Sequence, residues 1–499
     1  MNKQLKVFVL TPEAVPFAKT GGLADVAGSL PGALKILGVD VRIIVPFYRA
    51  VREKEISSSV VIKDLEVPLG NSFLTADILE TVNKDNVPVY LIDREDMYDR
   101  PGLYGDSQGD YYDNLERFAF FSRAALSIIE SLGKSPDIIH CHDWQTGLIP
   151  ALLNRTYSGT SFFSDTSSVF TIHNIGYQGI FPKDKFTLTG LSEKEFYHPS
   201  GIEYWGSISL LKSGIVYSDS VTTVSPRYAE EIKTPDYGMG MEGILEDRSA
   251  DLYGILNGID YKVWDPSSDR NLIKPYSEKN LKGKHSCKEY LIKEMGLDNA
   301  LINAPVMGIV SRLDTQKGID ILLEALDEFI DMKVGIVILG SGKEDIEKAV
   351  KTSEKRYPGR LAARIGYDDP LAHRIIAGSD MFIIPSRYEP CGLTQMYALK
   401  YGTAPVVRST GGLDDTIVSF DPVTEKGNGF KFESPDAASL VKSVREALEV
   451  YKKKSLWKKL ITTGMKEDFS WERSARRYLK IYESTSKKRR AHGVFSLGH

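Results

Sequence analysis

The sequence predicts an α/β protein of two similar domains, on three observations. Short runs rich in Val and Ile alternate with longer amphipathic stretches along both halves of the chain, which favours parallel sheets covered by helices on both faces. At 499 residues the chain exceeds what one hydrophobic core usually supports. A glycine-rich segment, KTGGLADV at 19–26, has a near copy, STGGLDDT at 409–416, in the other half.

In the first half, residues 115–132 and 207–216 have the apolar spacing of helices between short strands. Residues 60–82 alternate differently and predict an antiparallel excursion from an otherwise parallel sheet. The strands are predicted at 5–10, 41–45, 87–92, 137–140, 169–172 and 220–224.

The segment 259–303 is rich in Asp, Ser, Lys and Pro, and we place the hinge between the domains near its start. The predicted domains are 1–258 and 259–469, followed by a final helix over 470–499. Each domain should hold ligand at the carboxyl ends of its strands. In the second domain the strands are predicted at 306–310, 334–339, 362–365, 381–384, 404–407 and 429–432, and the helices at 317–330, 343–355, 369–378, 392–401, 413–419 and 436–451.

Composition excludes several classes of protein. A net charge of −4 and a pI near 6.1 argue against a general binder of nucleic acid or anionic membranes. Three cysteines argue against a disulfide framework and fit a reducing compartment. The first apolar run, 7–10, is too short for a secretory signal, and no segment approaches the length of a membrane span. We therefore expect a cytoplasmic protein.

The paired glycines of the two similar segments allow the backbone to approach a ligand closely, and free amides at a following helix start favour an anion. One such loop is explained equally well by packing. Two of them, in opposite halves, suggest a phosphate-bearing ligand held between two similar domains.

Arg312 and Lys317 follow the first strand of the second domain, in SRLDTQKG at 311–318. Two fixed cations at the end of a strand suit a diphosphate, because a guanidinium grips phosphate oxygens in pairs and an ammonium adds a point charge. An Arg/Lys pair that only solvates an ordinary loop explains this segment equally well.

Glu389 stands before a proline in PSRYEPCGLT at 385–394, between a strand and a helix. A carboxylate there can accept hydrogen bonds from sugar hydroxyls, and the amides of Gly392, Leu393 and Thr394 can face phosphate. The alternative, a carboxylate that caps the helix, is less favoured because Pro390 and Gly392 constrain the turn.

Polar residues also end two strands of the first domain, in HCHDW at 140–144 and TIHN at 171–174. His140 and His142 share one face of a strand, but further metal ligands are lacking and no Asp-x-Asp triplet occurs, so no metal is predicted. These strand ends favour a sugar subsite, where a ring stacks and polar groups bond hydroxyls. Tyr367 could stack on a base, or could be an ordinary surface tyrosine.

Together these segments resemble the bacterial glycogen synthase and plant starch synthase family, from Leu5 to about Tyr482. The resemblance implies a GT-B fold, with two Rossmann-like domains facing across a deep cleft and a final helix crossing back to the first domain. It also implies a retaining glucosyltransferase without a cofactor, which moves glucose from ADP-glucose to the 4-hydroxyl at the non-reducing end of glycogen or another α-1,4-glucan. The motifs that carry it are KTGGLADV at 19–26, HDW at 142–144, THN within TIHN, NGID at 257–260, SRL…KG at 311–318, EPCGLTQ at 389–395 and TGGLDD at 410–415.

The resemblance also implies roles for single residues, with the acceptor glucan on the first domain and the nucleotide sugar on the second. The expected catalytic residues are Lys19, His173, Arg312, Lys317 and Glu389. The expected donor-binding residues are Lys19, Gly22, Asp143, Arg312, Lys317, Tyr367, Glu389, Gly392, Leu393 and Thr394, and the expected acceptor-side residues are Asp25, Trp144, Asn174 and Asn257.

One position departs from the wider group of retaining transferases, in which a second glutamate often lies eight residues beyond the first. Tyr397 stands there, which argues against a mechanism that depends on that carboxylate. A related transferase using UDP-glucose or a sugar-phosphate acceptor remains an alternative. A nicotinamide oxidoreductase fits the fold but lacks a complete Gly-x-Gly-x-x-Gly, and a non-catalytic glycan binder would not need these charged residues. A homo-oligomer remains open.

Overall fold

The computed structural model describes residues 4–197 and 200–496. The chain divides into two units: unit 1 contains the residues up to Gly258 together with those from Trp471 onward, and unit 2 is Ile259–Ser470. Each unit has its own sheet, and each is described by itself below.

Unit 1 is built on a nine-stranded sheet in the order β14-β13-β9-β8-β1-β2-β5-β4-β3. In this order each pair of adjacent strands from β14 as far as β5 is parallel. Strand β4 pairs antiparallel with both β5 and β3. This confirms the antiparallel excursion predicted for 60–82. The strands are β1 Lys6–Leu10, β2 Asp40–Pro46, β3 Ser59–Leu69, β4 Ser72–Val82, β5 Pro88–Asp93, β6 Gly105–Asp106, β7 Gly109–Asp110, β8 Ile138–His142, β9 Ser167–Ile172, β10 Ile180–Phe181, β11 Glu203–Tyr204, β12 Ser207–Ser209, β13 Ser220–Thr223 and β14 Leu252–Gly254.

Two small sheets accompany the large one, β6 with β7 and β10-β12-β11. The second explains an error in the prediction for 207–216, because residues 207–209 form β12 and the helix begins only at Leu210. Ser209 sets this start, since its side chain accepts a hydrogen bond from the Lys212 amide. The helices of this part are α1 Gly22–Ile36, α2 Arg49–Arg52, α3 Glu95–Tyr98, α4 Asn114–Ser131, α5 Leu148–Arg155, α6 Leu210–Tyr217, α7 Pro226–Glu231 and α8 Glu242–Asp247.

Unit 2 has a six-stranded parallel sheet in the order β17-β16-β15-β18-β19-β20. Counted along the chain this is 3-2-1-4-5-6, the doubly wound Rossmann order, in which ligands bind where the order reverses, between the first and fourth strands. The strands are β15 Val306–Val310, β16 Gly335–Gly340, β17 Leu361–Ile365, β18 Met381–Ile384, β19 Ala404–Arg408 and β20 Phe430–Phe432.

The helices of unit 2 differ from the prediction in three places. The helix expected over 317–330 is broken at Ala325, and α9 and α17 were not expected. Apolar spacing misses α9 because its buried face includes Lys284 and Lys288, whose ammonium groups bond to carbonyl and carboxylate oxygens. The helices are α9 Lys282–Glu294, α10 Ile319–Glu324, α11 Leu326–Asp331, α12 Glu344–Arg356, α13 Asp369–Gly378, α14 Thr394–Lys400, α15 Gly411–Thr416, α16 Ala437–Lys452 and α17 Lys454–Met465.

The last helix, α18 Trp471–Ser496, belongs to unit 1 although it follows unit 2 in sequence. It packs on α1 and β9 of that unit. The Tyr482 hydroxyl lies 2.7 Å from Nδ1 of His140, and Thr485 lies 2.8 Å from the Ser220 hydroxyl. Residues 497–499 of the predicted final helix lie outside the described residues.

Candidate functional site

In unit 2, Lys317 and Glu389 meet where the strand order reverses. Nζ of Lys317 lies 2.8 and 2.6 Å from the two carboxylate oxygens of Glu389, and the Ser386 hydroxyl donates to the same carboxylate over 2.9 Å. Gly318 makes this approach possible. Its φ is +69°, and a Cβ there would lie 2.1 Å from the carbonyl oxygen of Pro385. The loops after β15 and β18 are thus packed together backbone to backbone.

Arg312 stands in the same loop, with its side chain half exposed. Its guanidinium forms an ion pair with Asp314 over 3.2 Å and donates to Oε1 of Gln316 over 3.0 Å. Asp314 also accepts from the Lys317 amide over 2.8 Å. The loop therefore fixes two cations, Arg312 and Lys317, after the first strand of the sheet.

The turn after Glu389 is held by the second glycine segment. A Cβ on Gly411 would lie 2.0 Å from the Glu389 carbonyl oxygen, and one on Gly412 would lie 2.1 Å from that of Cys391. The chain's own backbone thus approaches both glycines, which is the packing explanation that the sequence left open. The carboxylate of Glu389 is engaged with Lys317 and Ser386, which contradicts the helix-capping alternative.

Residues 392–394 lead from this turn into α14. Gly392 has a φ of +69°, Leu393 is the residue before the helix, and Thr394 is its first residue, without a side-chain cap. Their amides lie at the helix start, as expected. Tyr367, after β17, is 81% exposed.

Tyr397 is buried on α14 and takes part in an aromatic stack. The Trp264 ring lies between those of Tyr397 and His373, with ring centroids 3.8 and 3.7 Å apart and planes within 7°. Asp269 accepts from the Tyr401 hydroxyl over 2.6 Å and lies 2.7 Å from Nδ1 of His373. The position at which related transferases often carry a second glutamate thus has a packing role here.

In unit 1 the strand order reverses between β1 and β8, and the first glycine segment follows β1. The buried carboxylate of Glu13 accepts from the Thr20 amide over 2.6 Å, from the Gly21 amide over 3.3 Å and from the Tyr104 hydroxyl over 2.6 Å. The sequence suggested that amides at this helix start are free to bind a phosphate. The two amides just before α1 instead donate to the Glu13 carboxylate. Glu13 escaped the sequence analysis; its signal is an acidic residue inside an apolar run.

Lys19 and Gly22 of this segment are exposed, and Asp25 is half-buried. Nζ of Lys19 forms an ion pair with Oδ1 of Asp25 over 2.8 Å. Gly22 is the first residue of α1, and a Cβ on Gly21 would meet no atom within 4 Å. Unlike Gly411 and Gly412, Gly21 has open space beside its backbone.

After β8, Asp143 has a φ of +56°, which is rare for a residue other than glycine and is found often at functional sites. Its Oδ1 accepts from the His173 amide over 2.7 Å. Burial raises the pKa of the Asp143 carboxyl to about 8, against the lowering effect of the His173 and Asn174 amides. Asp143 and His173, predicted from separate motifs, are thus in direct contact.

His140, His142 and His173 are buried and uncharged at neutral pH. Burial lowers the pKa of His140 and of His173 to about 3, and that of His142 well below its ordinary value. Nδ1 of His142 lies 2.9 Å from Nε2 of His173. Both nitrogens of His140 have protein partners, Thr171 and Tyr482, so this residue is a core histidine whose hydrogen bonds are satisfied within the protein.

Of the expected acceptor-side residues, Trp144 follows β8, Asn174 follows β9 and Asn257 follows β14, whereas Asp25 lies on α1. Trp144 is buried against Phe118 and Phe181, with ring centroids 5.0 and 5.7 Å away. The Asn174 side chain accepts a hydrogen bond from the Gly176 amide over 2.9 Å. Asn257 is buried and directly precedes Gly258, where the first part of unit 1 ends.

Two findings concern the described residues as a whole. Within 4–197 and 200–496, no three His, Cys, Asp or Glu side chains are grouped so that they could hold a metal ion. None of the helices in these ranges has the length and apolar character to cross a bilayer.

Comparison with known proteins agrees with this arrangement. Residues 6–247 match the family described as starch synthase catalytic domain, and residues 299–462 match glycosyl transferases group 1. A glycogen synthase of Koribacter versatilis is 45% identical over 96% of this chain and 97% of its own, and one of Moorella thermoacetica is 44% identical over the whole of both chains. The catalytic domain of starch synthase IV from Arabidopsis thaliana, solved with ADP and acarbose, superposes with a TM-score of 0.90 at 34% identity, over 97% of this chain and all of its own. The chain therefore belongs to the glycogen and starch synthase family, and it is a hexosyltransferase with the GT-B fold.

Proposed function

We propose that this chain transfers glucose from ADP-glucose to the 4-hydroxyl at the non-reducing end of an α-1,4-glucan, with retention of the anomeric configuration. The observation that carries the proposal is the contact of Lys317 with Glu389 at the reversal point of the unit 2 sheet. That point is where a doubly wound sheet binds a nucleotide. The glycogen synthases among its relatives, and the ADP bound to the starch synthase IV domain, support this donor.

In the proposed reaction the bond between the anomeric carbon and the diphosphate breaks, and the nucleoside diphosphate leaves with the electron pair. The 4-hydroxyl oxygen of the acceptor bonds to the same carbon, and its proton passes to the leaving phosphate oxygen. A diphosphate needs little proton donation, so fixed cations can stabilise it in place of a general acid. Arg312 and Lys317 would supply that charge, with the Gly392, Leu393 and Thr394 amides beside the phosphates. Tyr367 would stack on the adenine.

Glu389 would hold the glucose of the donor by accepting hydrogen bonds from its hydroxyls. Its contacts with Lys317 and Ser386 orient the carboxylate before any sugar arrives, which is the pre-organisation that precise binding requires. Because Tyr397 stands in an aromatic stack, we assign no second unit 2 carboxylate to the reaction.

Unit 1 would bind the acceptor glucan and complete the sugar pocket. Asp143 and a neutral His173 would bond the donor glucose, with Lys19 and Gly22 near the phosphates. A neutral imidazole suits this role, because it both donates and accepts hydrogen bonds without adding charge. Asp25, Trp144, Asn174 and Asn257 would line the acceptor side. We further propose that the protein acts in the cytoplasm and needs no cofactor. Its molar mass by light scattering will show whether it is a homo-oligomer.

One assay tests the proposal directly. The purified chain is supplied with glycogen and with either ADP-glucose or UDP-glucose, and release of the nucleoside diphosphate is followed together with the anomeric signal of the new linkage by NMR. We expect ADP release and α-1,4 linkages that depend on glycogen. Release of UDP alone would reassign the donor, and release of ADP without growth of the glucan would make the chain a hydrolase.

A further inference from the structure

Trp205 and Gly206 form the two-residue loop between β11 and β12. The last paired residues of this hairpin are Tyr204 and Ser207. Trp205 has a φ of +49° and Gly206 a φ of +82°, which is the pattern of a primed hairpin turn. Asn, Asp and Gly suit such a turn, whereas a bulky residue at positive φ is a genuine outlier.

The indole of Trp205 has little packing to offset this backbone strain. Its ring meets the Tyr204 ring edge-on, with centroids 6.3 Å apart, and its side chain is still 85% exposed, while the other four tryptophans of the described chain are buried or half-buried. Backbone strain that is retained for so little packing points to a function of the residue that carries it.

The base of the hairpin is rigid. The Gly206 amide donates to the Glu203 carboxylate over 2.6 Å, and the buried ammonium of Lys212 donates to the Glu203 carbonyl over 2.6 Å. The Tyr204 hydroxyl donates to the Met239 carbonyl over 2.8 Å. The exposed indole is therefore held on a fixed support, which lowers the entropy lost when a ligand binds it.

The same small sheet leads from this tip to the expected acceptor side. Phe181 of β10 pairs with Ile208 of β12, and the Phe181 ring contacts the Trp144 ring at 5.7 Å. Ile208 follows Ser207, the residue at which the turn of Trp205 and Gly206 closes, so the turn begins one strand residue beyond Ile208. Trp144 and Trp205 thus lie on one continuous support within unit 1.

Other exposed apolar side chains lie on the loops joined to this sheet. Tyr177 and Ile180 lie on either side of the pair Gln178–Gly179. The side-chain amide of Gln178 donates to the carbonyl of Met239, the same oxygen that accepts from the Tyr204 hydroxyl. Each of these side chains, like Trp205, stands next to a glycine, so its chain neighbour does not cover it. The four pairs are Gly176–Tyr177, Gly179–Ile180, Trp205–Gly206 and Met239–Gly240.

We propose that Trp205, with Tyr177, Ile180 and Met239, forms a docking platform for a linear α-1,4-glucan, outside the residues that line the acceptor end. The chemistry of the platform favours a neutral sugar chain, because the apolar CH face of a glucose ring stacks on an exposed aromatic ring. Separate side chains spaced by glycines suit successive sugar rings of a polymer. The inference rests on the proposed function, since it supplies the binding surface for a long acceptor.

Kinetics with long and short acceptors test the platform. For Trp205→Ala we expect the KM for glycogen to rise about fivefold, the size of one lost stacking contact, while the KM values for maltotriose and for ADP-glucose stay unchanged. Trp205→Phe should stay within about twofold of the wild type in all three. Phe73→Ala is the matched control, because Phe73 is 70% exposed near the tip of the β3–β4 hairpin. An unchanged glycogen KM in Trp205→Ala, or an equal rise in Phe73→Ala, would overturn the platform.

A binding measurement without donor separates this inference from the proposed function. Maltoheptaose should shift the tryptophan fluorescence of the wild type to shorter wavelength, and the part of the shift that Trp205→Phe lacks belongs to Trp205. Cellohexaose, with β-1,4 linkages, should give no such shift. If the wild type transfers no glucose but shows the shift, the proposed function fails and the platform stands. If Trp205→Ala instead changes the molar mass measured by light scattering, the surface binds a second copy and the platform is wrong.

Discussion

The ammonium of Lys317 lies 2.6 Å from one carboxylate oxygen of Glu389, although 72 residues separate them in sequence. The contact joins the loop after β15 to the loop after β18, the two strands at which the unit 2 sheet reverses its order. In the proposed function an incoming diphosphate would share this ammonium with the carboxylate, so Lys317 would contact both the leaving group and the residue proposed to hold the sugar.

Replacing Lys317 by Ala should lower kcat with ADP-glucose and glycogen by about a hundredfold, because one preorganised cation for the leaving group is lost. Steady-state turnover at saturating substrates measures this. Turnover within a few-fold of the wild type would remove Lys317 from the reaction.

The same change should reduce the free energy of unfolding by about 2 kcal/mol, since it leaves the Glu389 carboxylate, nearly buried, without its ammonium. Chemical denaturation measures this loss. The double variant Lys317→Met, Glu389→Gln removes both charges and should recover the stability without recovering turnover. If stability and turnover return together, the Lys317→Ala defect was one of folding.

Arg312→Ala should also reduce kcat by about a hundredfold, for the same reason. Its free energy of unfolding should stay within about 1 kcal/mol of the wild-type value, because the Arg312 side chain in the ion pair with Asp314 is half exposed. Arg445→Ala is the matched control, because Arg445 is an exposed arginine of α16 that forms an ion pair with Glu328 of α11. Equal turnover losses in the two variants would count against a specific role for Arg312.

Transfer should continue in excess EDTA, because Arg312 and Lys317 already supply positive charge and the sequence holds no Asp-x-Asp triplet to bind an ion. The assay compares initial rates before and after dialysis against the chelator. Complete loss of activity that Mg²⁺ or Mn²⁺ restores would contradict the proposed charge stabilisation.

Acid should destabilise unit 1 through its buried histidines. The folded state lowers the pKa of His140 to about 3, so its contribution to stability is intact above about pH 6.5 and is lost as the pH falls toward 3. Between pH 7 and pH 5, His140→Gln should therefore lose about 2 kcal/mol less unfolding free energy than the wild type. His285→Gln, at an exposed histidine, should follow the wild type, and parallel losses in all three proteins would refute the assignment.

The strands and the loops that follow them could be predicted from the sequence, because buried parallel strands are short β-branched runs and functional residues follow their carboxyl ends. The position of Arg312, Lys317 and Glu389 after two strands of unit 2 was predicted in this way. The pairing of Lys317 with Glu389 could not be, because it depends on which strands are neighbours, and a run of apolar residues carries no information about its neighbours.

The errors have equally specific causes. A glycine pair has the same sequence whether a ligand or the chain itself approaches it, so the packing of Gly411 and Gly412 on the turn after Glu389 could not be predicted. The lysines on the buried face of α9 hid that helix from apolar spacing. Glu13 was missed because its partners, two amides and a tyrosine hydroxyl, exist only after folding.

Because α18 belongs to unit 1 but follows unit 2 in sequence, unit 2 is translated in full before unit 1 is complete. The ribosome completes unit 2 before it releases Trp471, so the sheet of unit 2 can form while β9 and His140 still lack the helix that covers them. Until then, unit 1 exposes apolar surface, and such partly folded states are prone to aggregate. A nonsense mutation just before Trp471 would thus leave unit 2 intact and make unit 1 a substrate for chaperones and proteases.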